Sequence, residues 1–343
     1  MKVTVETKDG ARTFACEPGE NILYAGLRSG LALPYECGTG TCGTCKARLR
    51  AGTPRSAWAE APGYAGLKPD ELLMCQALPD GDCTLELTGI VKAAPGGPPS
   101  HLAAVIARRT RRTADVMTLD VDLERPIDFE AGQFMVMTVA GIPGGRAYSM
   151  VNYERRTRRL VFVVKSKPGG RFSEWLFGDG VEGTAVRLFG PLGHATFDPD
   201  APRDVLCIAG GSGIAGMMAI LARACGEGHF ERHRGHLFFG VRTPQDLFFL
   251  EELLALKKIA PDRLDVTLAL SDADVDPALA EAHPHFAFAR GMVHAVTGEH
   301  MKGRFANVRA YAAGPPPMVN ATLRMLLLEG RLKSAEIRYD KFS

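Results

Sequence analysis

The chain has 343 residues, of which 46% are hydrophobic and 23% charged, and its formal net charge is +2. This length predicts two or three domains, and the composition excludes a largely disordered chain. No block of like charges indicates a nucleic-acid partner, and no apolar run approaches the roughly 18 residues of a membrane span. The N-terminal residues lack the apolar segment of a secretory signal. We therefore expect a cytoplasmic protein that binds neither nucleic acid nor a membrane.

Residues 1–92 are predicted to form a small α+β domain. An Asp9-Gly10 turn between two alternating segments is a strong hairpin signal. In chain order, the predicted elements are strands at 2–7 and 12–17, a helix from Asn21 to Gly30, a loop rich in Gly and Cys, and strands at 46–50 and 84–88. Residues 93–101 are rich in Pro and Gly and are predicted to be an interdomain linker.

Two further domains are predicted after the linker. In 102–202, the segments VMTLDVDL, QFMVMTVA, RLVFVVKS and AVRLF are short strands separated by Gly and Pro turns, which favours an antiparallel β-barrel. A single helix, Arg171 to Phe177, interrupts them. In 203–343, strands alternate with helices, beginning with DVLCIAG and IAGMMAILARAC. This alternation is typical of a parallel α/β sheet with helices on both faces, so the chain as a whole is multidomain, α+β and α/β.

The strongest chemical signal is a cysteine motif in the first domain. Cys37, Cys42 and Cys45 have the spacing C-x4-C-x2-C, and Cys75 lies further along the chain. This is the plant-type [2Fe–2S] spacing, in which four thiolates hold two bridged irons. Three of the ligands must come from one loop that wraps the cluster closely, and glycines permit such a loop. The motif has three of them, at Gly38, Gly40 and Gly43.

Structural zinc and disulfides are the alternative uses of clustered cysteines. Zinc sites usually have paired short spacings and often a histidine, whereas the fourth cysteine here is alone and the first 100 residues contain no histidine. A disulfide framework goes with a secreted chain. Of the remaining cysteines, Cys207 lies in a predicted buried strand and Cys225 ends an apolar helix, so both are expected to be core residues. Cys16 and Cys83 are also not expected to be ligands.

Two Gly-rich segments predict phosphate sites. Gly169-Gly170 opens the helix that contains Arg171 and Ser173, so free N–H groups face its N-terminus. Upstream, Arg146-Ala147-Tyr148-Ser149 ends a barrel strand and offers a bidentate cation and a flat ring.

The second segment, Gly210-Gly211-Ser212-Gly213-Ile214, joins a strand to a helix. It is not a Rossmann fingerprint, because the next strand leads into Arg242 and not into an acidic residue. Gly314-Pro315-Pro316-Pro317-Met318 follows the last core strand. Ligands bind outside the carboxyl ends of the strands in such sheets, so the two segments are expected to flank one crevice. A tight turn without a ligand is the alternative for the first of them.

Taken in order, these motifs resemble the reductase component of bacterial multicomponent oxygenases. That family joins a plant-type ferredoxin domain, which has a β-grasp fold, to a ferredoxin–NADP reductase-like FAD barrel and a nucleotide domain. The resemblance implies that Cys37, Cys42, Cys45 and Cys75 ligate the cluster. It implies an FAD site made by Arg146, Ala147, Tyr148, Ser149, Gly169, Gly170, Arg171 and Ser173.

Within that site, the resemblance implies that Arg146 holds the FAD pyrophosphate and that Tyr148 lies against the isoalloxazine. Ser149 would bond near flavin N5, so Tyr148 and Ser149 are the expected catalytic residues. Phe342, in the C-terminal tail, is expected to cover the flavin, with a packed or frayed terminus as the alternative.

The resemblance also implies a nicotinamide nucleotide site. It consists of Gly210, Gly211, Ser212, Gly213, Ile214, Arg242, Gly314, Pro315, Pro316 and Met318. The chain departs from the family at two positions. Ala313 stands where a cysteine is usual, which puts in doubt any thiol help in placing the hydride. Gly216 stands where proline is usual, which makes the loop less rigid. We expect altered rates or nucleotide affinity from these departures, and no loss of function.

The implied activity is electron transfer from NADH, or alternatively NADPH, to FAD, to the [2Fe–2S] cluster, and on to an oxygenase component or a separate ferredoxin. The partner is a Rieske or a di-iron enzyme of an aromatic or hydrocarbon oxygenase system, bound by weak, transient docking. Arg242 leaves the choice of nucleotide open, since it could meet a 2′-phosphate. The competing hypothesis is an FAD/[2Fe–2S] redox sensor that regulates a partner without catalytic turnover.

Overall fold

The computed structural model describes residues 1–94 and 96–341. Its first sheet is mixed and has five strands. Its strands have the order β2-β1-β7-β3-β5, with β1 and β7 parallel and the other neighbouring pairs antiparallel. The elements are β1 (Lys2–Thr7), β2 (Gly10–Ala15), α1 (Ile22–Arg28), β3 (Lys46–Ala51), β4 (Arg55–Ser56), β5 (Glu71–Leu73), β6 (Ala77–Leu78) and β7 (Cys83–Glu86). Strands β4 and β6 form a separate pair.

Helix α1 begins and ends where its sequence requires. The Asn21 side chain accepts a hydrogen bond from the backbone N–H of Tyr24 at 2.9 Å, which satisfies one of the unpaired donors of the first turn. Ile22, Leu23 and Leu27 are buried. Gly30 follows the helix with φ +80°, a conformation that glycine adopts at little cost. The helix therefore covers the sheet with one apolar face, as a β-grasp domain requires.

The second sheet is six-stranded, with the order β11-β10-β13-β8-β9-β12. Strand β9 pairs in antiparallel fashion with both β8 and β12. The elements are β8 (Ser100–Arg111), β9 (Val116–Ile127), β10 (Phe134–Val139), β11 (Ile142–Ser149), β12 (Thr157–Lys165), α2 (Arg171–Phe177) and β13 (Ala185–Leu192).

The third sheet is parallel, with the order β17-β16-β15-β14-β18-β19. Side chains along β14 alternate between two cores: Cys207 packs with Leu237 on one face, and Leu206 packs with Phe238 on the other. The elements are β14 (Asp204–Gly210), α3 (Ile214–Gly226), β15 (Gly235–Val241), α4 (Leu250–Ile259), β16 (Leu264–Leu270), α5 (Pro277–Ala282), β17 (Ala287–Arg290), α6 (Val293–His300), β18 (Val308–Gly314), α7 (Pro316–Leu328) and β19 (Ile337–Lys341). The parallel α/β prediction is confirmed.

By contacts, the chain divides into two compact units. The first comprises Met1–Leu102, Met135–Ala147 and Val186–Leu192, and the second comprises Ala103–Phe134, Tyr148–Ala185 and the chain from Gly193 onward. The predicted domain limits at 92, 102 and 202 stay a prediction. Among the described residues, no helix is long and apolar enough to cross a membrane.

One predicted helix begins later than its sequence indicates. The segment DLFFLEELLALKK was expected to be helical throughout, but α4 begins only at Leu250. Thr243 and Asp246 form a capping box around a short 3-10 turn, Pro244–Asp246, and Phe249 has φ +64°. The capping box begins this short turn, and the left-handed residue Phe249 separates it from the α-helix.

Candidate functional site

The four predicted ligands lie in one part of the first unit, as two pairs of thiols. The Sγ atoms of Cys45 and Cys75 are 3.3 Å apart, and both residues are buried. The second pair is Cys37, which is buried, and Cys42, which is exposed. All eight cysteines of the chain are free thiols. The fold thus brings the loop that carries Cys37, Cys42 and Cys45 close to Cys75, which follows strand β5.

Within each pair, the hydrogen bond between the two thiols shifts their pKa values in opposite directions. The hydrogen bond with Cys42 lowers the pKa of Cys37, and the pKa of Cys42 is raised. In the same way, the contact between Cys45 and Cys75 lowers the pKa of Cys45 and raises that of Cys75. Thiols crowded in this way repel one another as thiolates, so a cation between them would stabilise the charged form.

The loop is tightly closed by a neighbouring segment. Gly40 and Gly43 have φ values of +97° and +77°, which side chains rarely adopt. The N–H of Gly63 donates to the carbonyl of Gly40 at 2.9 Å, and a Cβ on Gly63 would lie 2.6 Å from that oxygen. The segment around Gly63 was not singled out from the sequence, although its Pro62-Gly63-Tyr64 run is a turn signal.

Several N–H groups point at the sulfurs. The backbone N–H of Thr39 lies 3.4 Å from the Sγ of Cys37, and that of Thr44 lies 3.5 Å from the Sγ of Cys42. The amide Nε2 of Gln76 lies 3.8 Å from the Sγ of Cys75. Such donors stabilise thiolates and tune a bound cluster.

The donor set fits a binuclear cluster better than a single ion. In the described part of the chain, no group of three or more His, Cys, Asp and Glu side chains is arranged to hold one metal ion. The two pairs of thiols would supply the four ligands that a [2Fe–2S] cluster needs. Zinc would require four ligands that converge on one point.

The predicted FAD residues of β11 lie at the end of that strand. The Arg146 guanidinium donates to the carbonyls of Pro143 and Gly144. The Tyr148 ring packs at a tilt against Phe172, with centroids 5.6 Å apart. Ala147 lies between these two residues, and Ser149 is buried. The strand therefore places a cation, a ring and a hydroxyl in succession.

The loop before α2 is shaped by Ser173. Its Oγ accepts a hydrogen bond from the N–H of Lys167 at 3.0 Å and lies near the carbonyls of Lys167 and Gly170. Gly169 has φ +72°, and its N–H donates to Glu174. Arg171 is exposed at the start of the helix. Ser173 thus holds the turn that orients Gly170, and direct contact with a phosphate stays a prediction.

The two predicted nucleotide loops lie where the strand order of the third sheet reverses. The connection after β14 leads to β15 on one side, and β18 lies on the other side. Ala209 pairs with Ala313 in the parallel register of these strands. In open α/β sheets, ligands bind at such a switch point, outside the carboxyl ends of the strands.

The two loops touch through their glycines. A Cβ on Gly213 would lie 2.1 Å from the carbonyl oxygen of Ala313, and one on Gly210 would lie 3.2 Å from Cε of Met318 and 3.5 Å from Cδ of Pro315. Gly211 has φ +54°. Ser212 lies in the 3-10 turn Gly211–Gly213, Ile214 begins α3, Gly314 ends β18, and Pro316 begins α7. The structure therefore brings the two predicted segments together.

Helix α3 also reaches the predicted flavin residues. A Cβ on Gly216 would lie 3.6 Å from Cβ and 3.7 Å from Oγ of Ser149, both ordinary contact distances. The first turn of α3 thus packs on the end of β11. The family's proline is absent here, but the position has room for a small side chain.

Arg242 follows β15 at the same edge of the sheet, since Gly210 pairs with Gly240. Two carboxylates flank its guanidinium: Asp246 at 3.5 Å and Asp115 at 3.8 Å. The side chain is largely exposed. The positive charge of Arg242 is therefore partly neutralised by Asp115 and Asp246.

The C-terminal tail continues the third sheet. Strand β19 pairs with β18 in parallel, with Asp340 opposite Ala313 and Lys341 opposite Gly314. This element was not predicted, and the alternative of a frayed end does not hold for Tyr339, which lies within the strand. Phe342 lies outside the described residues, so its predicted place over the flavin stays a prediction.

Three family descriptions match successive parts of the chain. Residues 5–80 match a 2Fe-2S iron-sulfur cluster binding domain. Residues 103–197 match an oxidoreductase FAD-binding domain, and residues 207–324 match an oxidoreductase NAD-binding domain. The predicted cluster, flavin and nicotinamide nucleotide thus each have a corresponding domain.

Curated relatives align along nearly the whole chain. The ferredoxin–NAD(P)+ reductase CarAd of Metapseudomonas resinovorans is 32% identical, over 97% of this chain and 98% of its own. The ferredoxin–NAD+ reductase component of the alkene monooxygenase system of Xanthobacter autotrophicus is also 32% identical, over 96% and 98%. The phenol 2-monooxygenase reductase component DmpP of a Pseudomonas species is 30% identical, over 100% and 95%.

Solved structures agree. A ferredoxin reductase in carbazole 1,9a-dioxygenase superposes with a TM-score of 0.86 at 31% identity, over 100% of this chain and 99% of that one. The Amycolatopsis cytochrome P450 reductase GcoB gives 0.81 at 28%, over 99% and 98%. The chain therefore belongs to the ferredoxin–NAD(P)+ reductase components of oxygenase systems, and it is an NAD(P)H-dependent oxidoreductase with FAD and a [2Fe–2S] cluster.

Proposed function

We propose that this chain delivers electrons from NADH to an iron-containing oxygenase component or its ferredoxin. The observation that carries the proposal is the pairing of four free thiols in a chain that also has FAD and NAD domains. Bound FAD accepts a hydride and releases its electrons singly, which a [2Fe–2S] cluster requires. The protein itself supplies binding, orientation and electrostatics.

Each group of residues has a defined part in this scheme. Arg146 pairs with the FAD pyrophosphate, because a guanidinium offers two parallel donors to phosphate oxygens. Tyr148 supplies a flat apolar face for the isoalloxazine, and the Ser149 hydroxyl is the hydrogen-bond partner near flavin N5. The loop held by Ser173 presents the N–H groups of Gly170 and its neighbours to an FAD phosphate.

The nicotinamide nucleotide is bound in the crevice between the loops after β14 and β18. Backbone N–H groups from Gly210 to Ile214 face its pyrophosphate, and the glycines allow the close approach. Gly314 to Met318 form the opposite wall. The contact of Gly216 with Ser149 supports this arrangement, because it ties the nucleotide helix to the strand that carries the flavin residues.

The preferred nucleotide is NADH. Asp115 and Asp246 already compensate the charge of Arg242, and both would repel a 2′-phosphate placed beside it. A 2′-hydroxyl would instead find acceptors there. Relatives named for both NAD+ and NAD(P)+ leave this preference to be measured on this chain.

The electron acceptor is proposed as a class of protein, the oxygenase components and their ferredoxins. Relatives are named for an alkene monooxygenase, a phenol 2-monooxygenase and a carbazole dioxygenase system, and one structural neighbour is a cytochrome P450 reductase. The names include both monooxygenase and dioxygenase systems, so the acceptor is proposed as an oxygenase component or its ferredoxin without a narrower type. We also propose a cytoplasmic location, because the clustered cysteines of this chain are assigned to a metal cluster and not to a disulfide framework.

Anaerobic stopped-flow absorption tests the scheme. After mixing with NADH, the flavin band should bleach first and the cluster bands should follow in a separate phase. Ferricyanide and cytochrome c should then be reduced in steady state. A flavin that turns over while the cluster stays oxidised would contradict the electron route, and no turnover at all would favour a redox sensor.

A further inference from the structure

The cluster loop is joined to strand β13 by two aromatic side chains, both within the first compact unit. The Tyr24 hydroxyl donates to the carbonyl of Gly38 at 3.0 Å, and Gly38 directly follows the proposed ligand Cys37. The ring of Tyr24 stacks on Phe189, with centroids 4.0 Å apart and an angle of 14° between the planes. Phe189 lies in β13 and is only 2% exposed. One tyrosine thus contacts both the loop and the strand.

A second ring anchors Phe189. The centroid of His101 lies 4.7 Å from that of Phe189, and His101 Nε2 lies 3.1 Å from Oε1 of Glu20. Glu20 is buried and receives two hydrogen bonds from Arg28, at 3.0 and 2.8 Å. Phe189 is therefore contacted by two rings, and each of them is itself held by a hydrogen bond.

The glycine beside Cys37 also lies against two strands. A Cβ on Gly38 would be 3.7 Å from Cδ1 of Leu192 on β13 and 3.7 Å from Cγ2 of Val136 on β10. These are ordinary van der Waals distances. The loop at Cys37 thus packs on strands that belong to the matched FAD-binding domain, 103–197.

We infer that Tyr24 and Phe189 are positioning residues for electron transfer from FAD to the cluster. Tyr24 belongs to the matched cluster domain, 5–80, and Phe189 to the matched FAD domain. Their stack joins the cluster loop to strand β13. Electron transfer slows steeply with distance, so a looser contact reduces the cluster more slowly without changing hydride transfer. This inference rests on the proposed function.

The test variant is Phe189→Leu, which stays apolar but loses the flat face and part of the ring volume. Cores tolerate hydrophobic replacements that keep the pattern and most of the volume, so the protein should still fold. In stopped-flow with NADH, we expect cluster reduction to slow about tenfold while flavin bleaching changes less than about twofold. Phe129→Leu is the matched control, because Phe129 is a buried ring of the same FAD domain that contacts Tyr153 instead. It should change neither phase.

Tyr24→Phe removes the hydrogen bond to the Gly38 carbonyl but keeps the ring that stacks on Phe189. It should keep most of the cluster reduction rate, and it should change the electron paramagnetic resonance spectrum of the reduced cluster, because the Gly38 carbonyl loses its donor. Hydrogen–deuterium exchange gives a readout independent of activity: Phe189→Leu should raise exchange in both 34–45 and 186–192.

The outcomes are distinct. Equal slowing of both phases in Phe189→Leu, or unchanged cluster reduction, would overturn the positioning role. If the unmodified protein never reduces its cluster with NADH, the proposed function itself fails, and this result is recognisable before any variant is made.

Discussion

The carbonyl oxygen of Ala313 lies 2.1 Å from the position that a Cβ on Gly213 would occupy. Gly213→Ala must therefore push the loop after β14 away from β18. Overpacking of this kind costs about 1–3 kcal/mol. We expect KM for NADH to rise about tenfold or more, with normal flavin and iron content. Steady-state ferricyanide reduction at varied NADH measures the effect.

Gly216→Ala is the matched control for that variant. Its Cβ would have ordinary contacts with Ser149, and α3 would exchange a glycine for a better helix former. We expect kinetics close to those of the parent and a gain of about 0.4–1 kcal/mol in the free energy of unfolding. An equal rise of KM in both variants would show that the contact with Ala313 is not the cause.

Cys75→Ser should abolish the cluster, because Cys75 completes one of the two thiol pairs. The expected result is loss of the visible iron–sulfur bands and of acid-labile sulfide, with FAD retained. Cys83→Ala removes another buried thiol of the same domain, one outside the proposed ligand set, and should retain the cluster. A full complement of iron in Cys75→Ser would rule out this ligand assignment.

Nucleotide preference depends on the carboxylates beside Arg242. Asp115→Asn removes one of them without disturbing the Thr243–Asp246 cap. Exposed charge pairs are weak, so we expect kcat/KM for NADPH to rise only by roughly two- to fivefold, with that for NADH little changed. Asp122→Asn, which breaks an exposed pair with Arg159, is the control. A fall in NADPH use would contradict the proposal.

Acid should weaken the first domain through Glu20. Burial opposes its charged form, but hydrogen bonds from His101 and Arg28 outweigh burial and lower its pKa from 4.5 to about 2. A depressed pKa in the folded state contributes stability above the unfolded pKa, and this contribution is lost as pH falls from about 4.5 towards 2. The full contribution is about 3 kcal/mol at most.

Glu20→Gln should therefore be less stable than the parent at pH 7, and the difference should shrink by pH 3. Urea denaturation followed by far-UV circular dichroism at both pH values measures this difference. Glu17→Gln, which removes the exposed partner of Arg28, is the control. A difference independent of pH would argue against the carboxylate charge as the source.

Strands were predicted well from the sequence where they are buried along their whole length. The runs DVLCIAG and LDVTLAL are strands residue for residue, because parallel strands buried on both faces are uninterrupted apolar segments. Only the end of strand β11, from Arg146 to Ser149, was predicted, because Pro143, Gly144 and Gly145 in its first half are typical of a turn. Strand β19 was missed because it is a polar edge strand.

The 2Fe-2S domain was predictable because three of the four proposed ligands have a local spacing, with Cys75 as the exception; the ligand set itself stays a prediction. The stack of Tyr24 on Phe189 was not predictable, since the two residues are far apart in the sequence and each alone is an ordinary aromatic residue. The same holds for the Asp115 contact of Arg242. Long-range pairs are set by tertiary packing, and no single-sequence pattern encodes them.

The distribution of the sites along the chain has a consequence for biosynthesis. The four proposed cluster ligands lie within the first 75 residues, whereas the proposed nucleotide crevice needs the loops after β14 and after β18, and β18 ends only at Gly314. N-terminal domains generally fold first on the ribosome. The growing polypeptide can thus receive its iron early in translation, but it gains the capacity to oxidise a dinucleotide only when synthesis is nearly finished.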